Sequence, residues 1–497
     1  MKKITNKIVI VAAGMLLLSS SCKKDVLNTS PTDAVSDQAV FTTTTNALAA
    51  LNGIHRSLYI QYSNQDEGGQ GSVMINADMM GDDLVLPSTG NGWWNTNYQW
   101  SSHRNATGKN RYFYRFYYKI IANANLIIAN IDKAEGLDVD KKSIKAQALT
   151  YRAWAHFQLV QMFGKRYAKG AVNNQLGVPL MLINTTEGQP RATVEEVYTQ
   201  VLKDLDDAIA NFAGTPARKF KSHFNVNVAK GIKARVALTM QNWSLAATLA
   251  SEARAGFTLM SNAQYLSGFN SISNPEWMWG SMQQEDQTTY FYSFFAYMSG
   301  NFNSTNIRTA PKVINSTLYN LISATDVRKG LWDPTGTNTA FKIPPSGTRF
   351  KYMNNKFMVA GETSVGDVPY MRMAEMYLIE AEAKARQGLE AGDASQYTGA
   401  QNALFTLVKN RDASYVLSTK TGQALIDEIM IQRRVELWGE GFRYFDLKRL
   451  NQALDRAGAN HNTAIAIVLN VPAGDPRWEF LIPQDEMNAN KAMQQNP

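Results

Sequence analysis

The chain has 497 residues, of which 44% are hydrophobic and 10% aromatic, with one cysteine and a formal charge of +8. That apolar fraction supports a large core without cross-links, and a single cysteine excludes a disulfide framework. Lysine and arginine are spread along the chain rather than clustered, which argues against a nucleic-acid-binding surface.

The N-terminus is organised around Cys22. Lys2, Lys3 and Lys7 precede an apolar run from Ile8 to Leu18, and Ser19, Ser20 and Ser21 lead directly into the cysteine. A charged start, an apolar centre and small residues before a cut site read as a signal peptide over residues 1–21. The run is shorter than the roughly 20 residues a membrane span needs. A lone cysteine at that place is the acceptor pattern of a bacterial lipoprotein, although Ser19 stands where leucine is usual. The expectation is a lipid anchor on Cys22, a polar tether over residues 22–36, and a single body over residues 37–497. Loss of the three signal lysines leaves that remainder at +5.

In chain order, residues 37–62 read as a helix capped by Asp37, with Leu48, Leu51, Ile54 and Leu58 at helical spacing. From Ser63 to Gly108 the periodicity breaks. Here Gly90-Asn91-Gly92-Trp93-Trp94-Asn95-Thr96-Asn97-Tyr98-Gln99-Trp100 is the most unusual short segment of the protein. Helix returns over residues 110–132 and again over 141–163, where two apolar rows make a broad buried face. Thr193 caps a helix to about Phe212, with Glu195 and Glu196 in its first turn. Further helices are expected at 226–240, 244–255, 370–387, 395–410, 422–438 and 442–454.

Small residues at interlocking positions, such as Ala374, Ala381 and Ala385, let paired helices approach closely. The fold expected is mainly α: four degenerate tetratricopeptide-like helix pairs forming a scaffold over about 37–257 and 369–457. A loop-rich insert fills 258–368, and a tail runs over 458–497. Long irregular stretches in a compact protein usually carry function.

Enzyme machinery is not apparent. There is no HExxH, GxSxG or Walker loop, and the five histidines show no i,i+4 pair for zinc. Asp82-Asp83 is the one acidic pair weighed for glycoside hydrolysis, and adjacent acids are common at turns and caps. No catalytic residue, metal or cofactor is assigned. The aromatic, amide-rich loops suit sugar instead, since Trp and Tyr offer apolar platforms to C–H faces and amides bond the hydroxyl rim. Candidate ligand residues are Trp93, Trp94, Asn95, Asn97, Trp100, Tyr290 and Tyr292. The Trp93–Asn97 cluster is expected to be exposed, because two adjacent indoles do not easily face one core. The charge-dense run from Arg433 to Arg449 reads as ion pairs on or between helices, with Gly439 and Gly441 turning one helix into the next.

That run resembles the C-terminal signature of the SusD/RagB family of outer-membrane lipoproteins. Pro369-Tyr370-Met371-Arg372-Met373-Ala374-Glu375 and its continuation to Ala383 resemble the family's P-x-x-R-x-A-E helix. Phe480-Leu481-Ile482-Pro483 with the closing Gln495-Asn496-Pro497 resembles the family tail. Tyr151-Arg152-Ala153-Trp154 and Gly177-Val178-Pro179-Leu180 are similar to its first repeat helix and following strand, and Asn274-Pro275-Glu276-Trp277 resembles a structural element that makes Trp277 and Trp279 scaffold residues. The resemblance implies a lipid-anchored, non-enzymatic protein on the outer face of the outer membrane. It would capture glycan as the lid of a SusC-like TonB-dependent transporter. Capture of another nutrient such as peptide, or a helical-repeat protein adaptor, are the alternative readings.

Overall fold

The computed structural model describes residues 41–287 and 291–497. The signal segment, Cys22, the tether and Tyr290 therefore lie outside the described residues. Helices of seven residues or more are numbered here as α1 Thr44–Ser57, α2 Gly69–Met79, α3 Asn110–Asn130, α4 Asp138–Phe163, α5 Val194–Asn211, α6 Val226–Thr239, α7 Trp243–Ala253, α8 Met373–Ala391, α9 Ala394–Arg411, α10 Gly422–Glu436 and α11 Arg443–Arg449. The mainly α scaffold expected from periodicity is present.

Helix α1 starts later than expected. Thr43 accepts the amide of Asn46 as its cap, and Asp37 lies outside the described residues. Helix α5 opens on a full capping box between Thr193 and Glu196. Helices α4 and α5 pack as one pair, α6 and α7 as the next, and α8 and α9 as a third. Ala374, Leu378, Ala381 and Ala385 of α8 meet Ala400, Leu404 and Leu407 of α9 and Leu425, Ile426 and Ile429 of α10 in a core of their own. The fourth pair is uneven: α11 has seven residues and packs on α2. Between α10 and α11 the chain turns through Gly439 at φ +78° and Gly441 at φ +83°. A Cβ on Gly441 would stand 2.6 Å from Cα of Met74, so glycine is needed there for space as well as conformation.

Helix α2 lies in a stretch where no helix was expected. All of its residues are buried. A helix enclosed on every side needs no apolar stripe, so its sequence carries no 3.6-residue period.

The insert is pinned at both ends by one two-stranded antiparallel sheet, β2 (Trp277–Gly280) against β6 (Pro369–Arg372). Trp277 and Trp279 are buried on β2, as scaffold residues should be. A four-stranded antiparallel sheet in the order β1 (Leu84–Val85), β3 (Val313–Ile314), β5 (Met353–Asn354), β4 (Trp332–Asp333) ties the insert to the chain leaving α2.

Where insert and scaffold meet, eight ionised groups are buried together. Arg372 reaches Glu276 at 2.5 Å, Glu436 at 2.9 Å and Glu440 at 2.6 Å. Arg411 pairs with Glu276 and Glu436, Arg328 with Asp326 and Glu436, and Lys356 with Glu440. Four cations balance four carboxylates, so none of these charges is left uncompensated in the interior. This is the pairing role expected for the Arg433–Arg449 run, completed by Arg433 with Asp446 and Arg449 with Glu382.

Candidate functional site

The loop from Leu84 to Trp100 follows α2 and is held by the insert on one side and the C-terminal tail on the other. Ser88 Oγ donates to the Thr309 carbonyl at 2.6 Å, and Asn306 Nδ2 to Asn91 Oδ1 at 3.1 Å. From the tail, Arg456 donates to the carbonyls of Gly81 (2.9 Å), Tyr98 (2.6 Å) and Met79 (2.7 Å) while its guanidinium lies 4.3 Å from the Tyr98 ring centre. His461 Nδ1 meets the Tyr98 hydroxyl at 2.5 Å.

Within this frame the aromatic cluster splits. Trp94 takes φ +72°, a left-handed conformation rare for a bulky residue, which turns the chain so that two neighbouring indoles diverge. Trp93 stays half-buried, edge-to-face with Tyr297 at 6.4 Å. Trp94 is 1% exposed, packed on the same tyrosine at 5.5 Å and covered by the Lys109 ammonium 4.9 Å from its ring. Lys109 is itself paired with Asp66.

The expected exposure of the whole Trp93–Asn97 cluster is therefore corrected. Trp94 and Asn97 are interior, and so is Trp100. Asn97 spends its amide on Asn76 Oδ1 at 2.5 Å and accepts from Lys109 Nζ at 3.2 Å. Trp100 also has positive φ, donates Nε1–H to the Met80 carbonyl at 2.9 Å, and stands edge-on to Trp478 at 4.7 Å. In this conformation none of the three offers a face to a ligand. Asn95 is half-buried, and its amide reaches the Thr89 carbonyl at 3.1 Å.

Tyr292 arrives from the insert. Its backbone carbonyl crosses Gly68 so closely that a Cβ there would lie 2.1 Å from the oxygen. Its ring is half-buried, and its phenol lies near that of Tyr297, which burial first and Tyr292 second push above the usual tyrosine range. Tyr297, anchored on the Gln65 carbonyl at 3.0 Å, is thus the post around which Trp93 and Tyr292 gather. Two neighbours escaped the sequence reading. Phe291 is 45% exposed, and Arg308 sits at the partly open surface, bonded to exposed Asn303 at 2.7 Å. Adjacency to Tyr292 was the only signal for the first; nothing marked the second. Trp93 and Tyr292 thus stand half-buried beside Tyr297, with exposed Phe291 next in the chain to Tyr292.

The acidic pair has a different use. Asp82 reaches Arg443 Nε at 2.5 Å and Asp83 reaches Arg434 Nη2 at 2.6 Å. Burial pushes the Asp82 carboxyl up, but the Arg443 guanidinium overrides it and holds the group at about 2. A general acid for glycoside cleavage needs the opposite shift.

The family described as "SusD family" matches residues 241–497, and one described as "Starch-binding associating with outer membrane" matches residues 32–238. The chain belongs to the SusD family. A SusD-like carbohydrate-binding protein from Bacteroides vulgatus is 27% identical, with a TM-score of 0.79 over 91% of this chain and 98% of its own. A SusD superfamily protein from Bacteroides thetaiotaomicron is 24% identical, with a TM-score of 0.76 over 92% of this chain and 100% of its own. A laminarin-binding SusD-like protein is 20% identical, with a TM-score of 0.67 over 92% and 100%. The comparison with curated proteins gave no match. The tetratricopeptide-like helical fold is shared with these SusD-like structures.

Proposed function

We propose that this SusD-family protein is a lipoprotein, anchored through Cys22 to the outer membrane and facing the cell exterior. It captures oligosaccharide or polysaccharide and delivers it to a SusC-like TonB-dependent transporter, for which it acts as the lid. It does no chemistry on the glycan. The observation that carries the reading is the approach of Trp93 and Tyr292 to Tyr297, from two segments far apart in sequence, on a chain whose family binds carbohydrate. A half-open indole and phenol give a sugar ring its apolar platform, and Asn95, Asn303 and Arg308 supply bonds to its rim. A neighbour of the same fold is laminarin-binding, which supports the reading. Among the described residues no helix is long and apolar enough to cross a membrane, which leaves the lipid as the means of attachment in this reading.

The test is calorimetry of residues 23–497 against laminarin, other soluble polysaccharides and peptides, beside a reducing-sugar assay. Binding of one glycan class without sugar release supports capture. Sugar release, or binding of peptide alone, overturns it.

A further inference from the structure

Lys312 of the insert has no solvent exposure, and among the described residues no carboxylate pairs with it. Its ammonium donates to Asn306 Oδ1 at 2.9 Å and to the Ala310 carbonyl at 3.1 Å. Lys356, another buried lysine of the insert, has Glu440 at 2.7 Å. Burying a charge without a counter-charge is costly, and an apolar side chain of similar length would fill the same space. A break of this kind with the ordinary rules of a core marks a functional place.

An ammonium only donates hydrogen bonds. Asn306 must therefore turn Oδ1 toward Lys312, which leaves its Nδ2 on the other side of the carboxamide. That Nδ2 donates to Asn91 Oδ1 at 3.1 Å. The same constraint then passes to Asn91: its oxygen is engaged, and its NH2 is the half of the amide left for another partner. Asn306 is buried and Asn91 is exposed. One polarity thus runs from a buried cation through two amides to the surface.

Both ends of this relay are held. Asn306 lies on the short helix Thr305–Thr309, which Ser304 caps through the Ile307 amide at 3.3 Å. The Lys312 carbonyl takes Asn354 Nδ2 of β5 at 2.9 Å. Asn91 lies on a tight turn, where the Gly92 amide donates to the Thr89 carbonyl at 2.9 Å. Gly90, at φ +49°, passes so close to the insert that a Cβ there would stand 2.7 Å from Cβ of Ala310. The next residue after this turn is Trp93.

We infer that Lys312 is a positioning residue for ligand capture: through Asn306 it fixes the carboxamide of Asn91 so that the NH2, not the oxygen, faces a glycan seated on Trp93. Asn91 then donates to an oxygen of the ligand that only accepts, such as the ring or bridging oxygen of a sugar. The inference rests on the glycan-capture reading and adds to it two residues and the direction of one hydrogen bond.

The experiment uses the full mature chain at pH 6, below the value of about 7 to which burial lowers the Lys312 ammonium. Wild type, Asn91→Asp, Lys312→Met and the double variant are titrated by calorimetry with laminarin and other soluble polysaccharides, each with a melting curve. Asn91→Asp keeps an acceptor for Asn306 and loses only the outward donor. At least tenfold weaker binding at unchanged Tm is expected for it. Lys312→Met is expected to weaken binding at least threefold in the wild-type background and no further in the Asn91→Asp background. Selective 15N-asparagine labelling reads the relay without ligand. The Asn306 carboxamide signal, identified by its loss in Asn306→Asp, should exchange its protons at least tenfold faster in Lys312→Met than in wild type.

Glycan binding unchanged in Asn91→Asp overturns the inference and leaves glycan capture standing. An equal loss from Lys312→Met in both backgrounds would mean that the lysine acts on the fold and not through Asn91, and overturns it too. Unchanged carboxamide exchange removes the relay. A wild type that binds no polysaccharide overturns the capture reading itself, and the role of Asn91 with it.

Discussion

Trp93 and Trp94 press on one side chain, Tyr297, with ring centres at 6.4 and 5.5 Å, yet the first is half-open and the second is 1% exposed. Substituting each therefore gives different losses. Trp93→Ala is expected to weaken polysaccharide binding at least tenfold with little change in Tm. Trp94→Ala empties a filled site and should cost about 3–5 kcal/mol of stability. Calorimetry and urea titration on the two single variants separate these effects. Equal losses of both kinds would show that the pair acts as one unit.

Glu436 accepts from Arg328, Arg372 and Arg411 at once, all without solvent exposure. Glu436→Ala leaves three guanidiniums around a vacated position. Breaking a buried pair from one side costs about 3–5 kcal/mol, and a urea midpoint lowered accordingly is the expected result. A loss under about 1 kcal/mol would mean that the remaining carboxylates take up the charge.

Lys312 is wholly buried among uncharged groups, donating to Asn306 Oδ1 at 2.9 Å and the Ala310 carbonyl at 3.1 Å. Burial lowers its ammonium to about 7 from an ordinary 10.5. Between those values the unfolded chain binds more protons than the folded one, so this group makes stability rise with pH across the window. Lys312→Met removes the dependence. The stability of the variant relative to wild type should be greater at pH 6 than at pH 9, by urea titration at both. A difference that does not change with pH would show that the lysine keeps its ordinary value.

Gly441 has no room for a side chain, since its Cβ position is 2.6 Å from Cα of Met74 and its φ is +83°. Gly441→Ala must either strain the turn or push α2 from α11. A destabilisation above about 1 kcal/mol is expected, visible as a lower Tm. Gly392, also at positive φ but with no heavy atom near its Cβ position, is the control for conformation without crowding.

The scaffold was legible because long helices with one wide apolar face announce themselves. The rows along α4, the Thr193–Glu196 box and the alanines of α8 each follow from local chemistry. Helix α2 was not legible, since full enclosure erases the period that marks a surface helix. The candidate site was half legible. Composition pointed to the Trp93 loop, but a positive φ at Trp94 decides which indole faces outward, and no spacing rule encodes that dihedral. The charged run was legible in kind only. Its partners Asp82, Asp83 and Arg372 come from stretches far upstream, so pairing could be expected and not assigned.

Arg456 binds three carbonyls on either side of the Trp93 loop, and Tyr98, Trp100 and Arg104 lean on His461, Trp478 and Pro497. The shape of the loop is thus set by side chains far downstream in the sequence, and a variant truncated before Arg456 would lose the contacts that hold it.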